Sequence, residues 1–174
     1  MQITTDKTRQ FEILVNALSP ELFRYAYGLC RNRCLAEDLV QETFLRAWRA
    51  RDDLRDRHAA RSWLYTILKR EFLRHIQRQR PAAVDPNEFD AIAPTDYDTS
   101  TEAFVLRRAL ATLSLEYREP LLLQVIGGFS CEDIAHILDL SPNAVMTRLS
   151  RARRKLRETL TGDARACNNK GTSQ

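Results

Sequence analysis

Apolar residues recur at the three- and four-residue spacing of an α-helix along both halves of the chain, on either side of residues 81–101. This spacing aligns apolar side chains on one face of a helix, so each stripe predicts a helix with one buried face. Only 5 Gly and 6 Pro occur in 174 residues, which leaves few points at which helices must end. The predicted fold class is therefore all-α.

Residues 81–101 differ in composition, with three Pro, five acidic residues and no extended apolar stripe. Such a segment is typical of an extended, flexible linker. Together with the stripes, it predicts two small helical domains at residues 8–81 and 102–160, joined by a flexible acidic linker at residues 82–101. The last residues, 161–174, are predicted to form a disordered tail.

Local residues also predict where individual helices begin and end. Ser19 followed by Pro20 resembles a cap and a first helical residue, Ser62 can cap a later helix, and Pro120 is expected to start another. Breaks are predicted near residues 31–34 and at Gly127-Gly128. These predictions rest on the backbone groups that lack partners at helix ends.

The net charge of +4 conceals an uneven distribution. Residues 46–80 contain 11 Lys or Arg against 4 acidic residues, and residues 145–157 contain six Lys or Arg and no acidic residue. Residues 81–106 contain six acidic residues and no Lys or Arg. One basic block is typical of a solvated helix face, but two blocks in separate domains favour binding to a polyanion such as nucleic acid.

Several classes of function lack support in the sequence. No apolar run reaches the roughly 18 residues of a membrane span, and no signal-peptide pattern is present, so a cytoplasmic protein is expected. No P-loop, dinucleotide motif, zinc motif or nucleophile with its base occurs, so the prediction is no enzyme and no cofactor. The spacing of Cys30 and Cys34 is too general to indicate a metal site, and free thiols are expected.

Residues 130–158 predict a helix-turn-helix. Ser130 and Asp133 resemble a capping box, residues 139–141 form a tight turn, and Pro142 begins the next helix. The inner face of that helix is predicted to carry Val145, Leu149, Ala152 and Leu156, and the outer face Asn143, Met146, Thr147, Ser150, Arg151 and Arg154. Such a helix fits the DNA major groove, with its first exposed residues at base edges and later basic residues at phosphates.

These residues resemble a known family. Segment 130–158, SCEDIAHILDLSPNAVMTRLSRARRKLRE, is similar to the C-terminal domain of bacterial extracytoplasmic-function (ECF) sigma factors. Segments 36–49, AEDLVQETFLRAWR, and 61–80, RSWLYTILKREFLRHIQRQR, resemble the family's polymerase-binding region and the helix after its promoter-melting loop. The resemblance implies an alternative sigma factor, a dissociable subunit that binds core RNA polymerase and directs initiation at stress- or signal-responsive promoters without catalysing a reaction.

The resemblance assigns core-polymerase binding to six residues of the first domain, Asp38, Gln41, Glu42, Phe44, Arg46 and Trp48. In the family this patch binds the coiled-coil clamp of the β′ subunit, and the β flap is a further contact. Asp38, Gln41 and Glu42 lie within about one helical turn, so they can form one polar cluster. For Phe44 and Trp48, a place in the domain core is the favoured interpretation.

The first domain is also implied to recognise and open minus-10 promoter DNA. Loop 52–61, DDLRDRHAAR, matches the family's specificity loop, where an unstacked base needs polar edges, a flat stacking surface and nearby cations. Residues of those types are Arg55, Arg57, His58, Arg61 and Trp63, with Lys69, Arg70 and Arg74 along the DNA backbone. Trp63 is equally compatible with the domain core.

The second domain is implied to read the minus-35 element through Asn143, Met146, Thr147, Arg148, Ser150, Arg151 and Arg154. Two positions depart from the common family pattern, because Met146 replaces a usual Lys or Arg and Asp139 replaces a usual Gly. Met146 can contact a thymine methyl group but not a phosphate. Asp139 tolerates the left-handed turn that Gly would provide.

The resemblance also implies an anti-sigma factor, commonly membrane-anchored, that masks the polymerase-binding surfaces until a signal arrives. Two other functions are open at this point. A stand-alone helix-turn-helix regulator would bind operators as a dimer, but it would more often carry a ligand pocket or dimer helix in place of segment 36–49. A sigma-like decoy would titrate another protein, but the polar, basic outer face of the second domain argues against it.

Overall fold

The computed structural model describes residues 2–51, 59–79 and 101–168, with side chains for residues 8–51, 59–79 and 105–161. Seven α-helices and no strand occur in these ranges, so the all-α prediction is confirmed. The helices are α1 (Gln2–Cys30), α2 (Arg33–Arg49), α3 (Ala60–Gln79), α4 (Thr101–Ala111), α5 (Leu115–Val125), α6 (Cys131–Leu138) and α7 (Pro142–Asn168). Of the predicted linker, only Thr101 lies in the described residues, and it begins α4.

Helices α1, α2 and α3 pack together in the first half of the chain. The predicted break after α1 is confirmed, because Arg31 takes a left-handed conformation with φ 55° and ends the helix. The Asn32 side chain then caps α2 by accepting a hydrogen bond from the N–H of Leu35 at 3.0 Å. The helices bury an apolar centre that includes Leu22, Tyr25, Leu29, Leu39, Leu64, Tyr65 and Leu68.

The predicted helix starts at Pro20 and Pro120 are wrong, because each proline lies inside a longer helix, α1 and α5 respectively. A proline removes one backbone hydrogen bond without preventing the helix from continuing when packing holds it. Pro20 is exposed, so water can pair with the Asn16 carbonyl that loses its partner. The apolar stripes on both sides of each proline decide the helix, since packing contributes more than the local preference of one residue.

Two further expectations differ from the structure at helix ends. Helix α3 begins at Ala60, and the Ser62 hydroxyl donates to the carbonyl of Ala59 at 3.0 Å instead of capping the helix. Helix α7 continues to Asn168, so helical backbone extends into the predicted disordered tail. The remainder of that tail lies outside the described residues.

Helices α6 and α7 form the predicted helix-turn-helix. Its capping box is present, because the Ser130 hydroxyl accepts from the N–H of Asp133 at 3.1 Å and the Asp133 carboxylate accepts from the N–H of Ser130 at 3.1 Å. Asp139 takes the left-handed conformation, with φ 57°, and turns the chain toward Pro142. Of the four predicted inner residues, Val145, Leu149 and Ala152 are buried and Leu156 packs against the core.

The two halves of the described chain contact each other directly. Helix α5 packs on α1, and α6 packs on α3. The buried residues of both halves form one continuous hydrophobic cluster. None of the helices in the described ranges combines the length and the apolar character of a membrane span.

Substitution of Leu68 tests the hydrophobic core, because the Leu68 side chain on α3 is fully buried. We expect Leu68→Ala to lower the free energy of unfolding by about 2–5 kcal/mol, since truncation leaves a cavity that the helices cannot fill. Leu73→Ala is the matched control, because Leu73 lies on the same helix and is 37% exposed. Chemical denaturation of both variants measures the difference, and equal losses would contradict the assigned core.

Candidate functional site

The outer face of α2 carries the exposed part of the predicted polymerase-binding patch. Asp38 and Gln41 are exposed, and Glu42 forms an ion pair with Arg46 at 2.9 Å. Leu45 lies one turn beyond Gln41 on this face and is 51% exposed. Leu45 is not among the residues predicted from the sequence, although the helical spacing places it outside the buried stripe of α2.

The two aromatic residues of the predicted patch turn away from this face. Phe44 and Trp48 are half-buried and contact Phe11 of α1, with ring centroids 6.4 and 5.1 Å apart in edge-to-face geometry. The Arg51 guanidinium lies 4.0 Å from the centre of the Trp48 ring. The rings therefore join α2 to α1, and Phe44 also packs against the core. The exposed face is formed by Asp38, Gln41 and Leu45.

Glu71 links the predicted polymerase patch to the predicted minus-10 residues. Its carboxylate is 7% exposed and forms ion pairs with Arg46 at 2.7 Å and Arg74 at 3.0 Å. Two cations around one buried carboxylate compensate the loss of hydration that burial imposes. Glu71 is not among the residues predicted from the sequence, because nothing local identifies which basic residues of α2 and α3 share a carboxylate.

The predicted minus-10 residues begin with Arg55, Arg57 and His58, which lie outside the described residues. Arg61 is described, and it forms an ion pair with Glu21 of α1 at 2.6 Å. The same Glu21 carboxylate accepts a hydrogen bond from the Tyr65 hydroxyl at 2.5 Å. Burial and this hydrogen bond raise the pKa of Tyr65, so the phenol stays protonated.

The other predicted minus-10 residues occupy different environments along α3. Trp63 is half-buried and packs against the core, whereas Arg70 is exposed. Arg74 pairs with Glu71 on the other side of the helix. The Lys69 ammonium donates a hydrogen bond to the carbonyl of Ile137 in α6 at 3.1 Å. Among the predicted minus-10 residues that the structure describes, one cation, Arg70, is exposed, and the other three, Arg61, Lys69 and Arg74, are held by other groups.

The outer face of α7 is exposed as the sequence predicts. The exposed residues are Asn143, Met146, Thr147, Ser150, Arg151 and Arg154, whereas Arg148 is half-buried. The ion pair between Arg154 and Glu158 is long, 3.9 Å, and both side chains are about two-thirds exposed, so it restrains Arg154 little. Arg153 bonds Gln124, and Lys155 lies 4.5 Å from the Tyr117 ring, so these two cations turn toward α5.

Cysteine, histidine and acidic side chains are the residue types that could hold a metal ion. Within the described ranges, no three His, Cys, Asp or Glu side chains lie close enough to hold a metal ion. Cys30 is buried and Cys34 is exposed. Burial raises the pKa of Cys30, so this thiol stays protonated and is a poor ligand or nucleophile at neutral pH.

These features define an all-helical protein with a helix-turn-helix, whose α7 has an exposed basic face, and with a separate exposed polar face on α2. Residues 14–82 match the family model of sigma-70 region 2, and residues 103–156 match that of sigma-70 region 4. Among similar relatives, the sigma factor CarQ of Myxococcus xanthus is 35% identical, over 86% of this chain and 88% of CarQ. The chain belongs to the sigma-70 family, as an ECF sigma factor, and is an alternative sigma factor of transcription initiation.

Two other comparisons describe the extent of the likeness. The ECF sigma factor SigE of Mycolicibacterium smegmatis is 31% identical over 84% of this chain, and the chain spans 60% of SigE's length. Among solved structures, the sigma factor RpoE of Bartonella quintana, in complex with the anti-sigma factor NepR, is 32% identical with a TM-score of 0.72. That match covers 88% of this chain and 98% of RpoE.

Substitution of Glu71 tests whether its buried carboxylate holds Arg46 and Arg74 in place. We expect Glu71→Gln to lower the free energy of unfolding by about 1–3 kcal/mol, because Arg46 and Arg74 lose their shared counter-ion. Glu42→Gln is the control, since Glu42 pairs with Arg46 at the surface and should cost less than about 1 kcal/mol. Thermal or urea unfolding of both variants measures this, and a neutral Glu71→Gln would contradict the proposed linkage.

Proposed function

We propose that the two domains divide the work of a sigma factor between two exposed faces. In this proposal the first domain, residues 8–81, binds core RNA polymerase and minus-10 DNA, and the second, residues 102–160, reads the minus-35 element. The observation that carries the proposal is the separation of a polar face on α2 from a basic face on α7, both exposed. Each domain corresponds to one of the two family models.

The α2 face suits a protein partner more than DNA. It presents the carboxylate of Asp38, the amide of Gln41 and the apolar side chain of Leu45. None of these three side chains carries a positive charge. A carboxylate would repel phosphates, whereas polar groups around an apolar anchor are typical of protein interfaces. The partner we infer is the coiled-coil clamp of the polymerase β′ subunit, with the β flap as the contact of the second domain.

The α7 face suits DNA. Asn143, Thr147 and Ser150 offer hydrogen-bonding groups near the start of the helix, and Arg151 and Arg154 follow on the same side. In the major groove, this order places the first group at base edges and the cations at phosphates. Met146, 52% exposed, adds an apolar contact suited to a thymine methyl group.

Regulation by an anti-sigma factor is part of the proposal. The RpoE structure that this chain resembles is a complex with the anti-sigma factor NepR. We infer that this chain also has an anti-sigma partner, commonly membrane-anchored in such systems, that covers the polymerase-binding face. The proposed protein works beside RNA polymerase in the cytoplasm, uses no cofactor or small-molecule substrate, and catalyses no reaction itself.

Charge reversal on α7 tests the division of work. We expect Arg151→Glu with Arg154→Glu to lower run-off transcription at least tenfold, because both cations would become anions facing DNA phosphates. Binding to core polymerase should stay within about twofold. Arg108→Glu, an exposed reversal on α4, is the control. Equal loss of polymerase binding would contradict the proposal, and tight operator binding by the free protein without new transcripts would favour a stand-alone regulator.

Leu45 tests the polymerase-binding face. We expect Leu45→Ala to weaken binding to core polymerase at least fivefold, because a buried apolar anchor at an interface contributes more than about 1 kcal/mol. Val125→Ala is the matched control, since Val125 is 73% exposed on α5 and lies outside the proposed face. Titration of labelled protein with core polymerase measures both. Unchanged affinity for Leu45→Ala would remove this residue from the interface.

A further inference from the structure

The outer face of α7 has an apolar residue at its centre. Met146 is 52% exposed there, and Asn143 and Ser150, three residues before it and four after it, are exposed on the same stripe. Both of these flanking side chains are polar, and the cations Arg151 and Arg154 lie farther along the helix. Met146 is therefore the one large apolar side chain exposed on this face, all of whose residues the structure describes.

The backbone at Met146 is held from the opposite side of the helix. Val145 is fully buried and Leu149 is 2% exposed, so both anchor α7 in the core. The start of the helix is capped by Ser141, whose hydroxyl accepts a hydrogen bond from the N–H of Ala144 at 3.2 Å. Met146 therefore projects from a fixed helix, while its unbranched thioether can adapt to the surface that it meets.

The hydroxyl group next to Met146 is not free to donate to a base. Thr147 donates its hydroxyl proton to the carbonyl of Asn143, one turn earlier, at 2.9 Å. A threonine bonded in this way keeps only its acceptor lone pairs for DNA. Donation to base edges therefore falls to the side chains of Asn143 and Ser150, and the centre of the face has no free donor.

The chemistry of the major groove offers one match for an apolar side chain. Base edges there present hydrogen-bond donors and acceptors, and the one apolar substituent is the 5-methyl group of thymine. A thioether placed against a donor or acceptor would remove water from that group without replacing the hydrogen bond. Against a methyl group, both partners leave water without such a cost, and the contact is favourable.

We infer that Met146 reads a pyrimidine 5-methyl group in the minus-35 element. The contact is with the methyl group itself, so 5-methylcytosine, which carries a methyl group on the same ring carbon, can replace thymine in it. An unmethylated cytosine at this position lacks the recognised group, and methylation of that cytosine supplies it. This inference rests on the proposed function, because that function places α7 in the major groove of promoter DNA.

Binding of synthetic promoters tests the contact. The holoenzyme, assembled from the full chain and core polymerase, first selects its preferred minus-35 element from a promoter fragment randomised in that element. Each thymine of the selected element is then replaced singly by uracil, which removes only the methyl group. We expect one thymine at which uracil weakens binding about threefold or more, as the loss of one buried methyl group requires. At the same position, 5-methylcytosine should bind better than cytosine by a similar factor.

Variants of the chain assign the effect to one side chain. Met146→Ala should bind the thymine and uracil duplexes equally, whereas Met146→Leu, which keeps a large apolar side chain, should still prefer thymine. Leu106→Ala is the matched control, since Leu106 is 48% exposed but lies on α4, and this variant should keep the wild-type preference. Thr147→Ser removes the neighbouring methyl group and keeps the hydroxyl. Loss of the preference in Thr147→Ser but not in Met146→Ala would overturn the assignment to Met146.

The outcomes separate this inference from the proposed function. A wild-type holoenzyme that selects a minus-35 element but binds thymine and uracil equally at every position overturns the inference and leaves the proposed function intact. A thymine preference that survives Met146→Ala does the same, as does equal binding of cytosine and 5-methylcytosine. A holoenzyme that selects no sequence in the minus-35 element contradicts the role of α7 in the proposed function, and the inference fails with it.

Discussion

Most of the structure depends on the contacts of one buried side chain, that of Tyr65. Its ring lies between Tyr25 of α1 and Phe129 of the second domain, and its side chain is fully buried. A buried phenol needs a hydrogen-bond partner, and Glu21 accepts from it while also pairing with Arg61. One residue of α3 thereby fixes α1, the start of its own helix and the segment that leads into the helix-turn-helix.

A second buried group joins the surfaces proposed for polymerase and DNA. Glu71 holds Arg46 of α2 and Arg74 of α3, which belong to different predicted sites. The carboxylate is covered and the two guanidinium groups reach the surface, so their positions are set from inside the domain. The two faces of the first domain are therefore built on one shared anchor, although each binds a different partner in the proposed function.

Features that depend on near neighbours in the sequence were predictable. The Ser130–Asp133 capping box, the left-handed Asp139 and the inward and outward faces of α7 all follow from residues within a few helical turns. The prolines were misjudged because packing of the whole helix outweighs one missing hydrogen bond. Glu21–Arg61, Glu71 and the contact of α5 with α1 join residues far apart in sequence, and helical spacing carries no information about such pairs.

The composition of the contact between the two halves of the chain sets the free energy that their separation would cost. Separation would expose Leu122 and Phe129, which costs about 25 cal/mol for each Å² of apolar surface returned to water. Arg118 and Glu119 would regain hydration, and that gain offsets part of the cost. The balance between apolar burial and the lost hydration of these two charged side chains therefore decides how firmly α5 is held against α1.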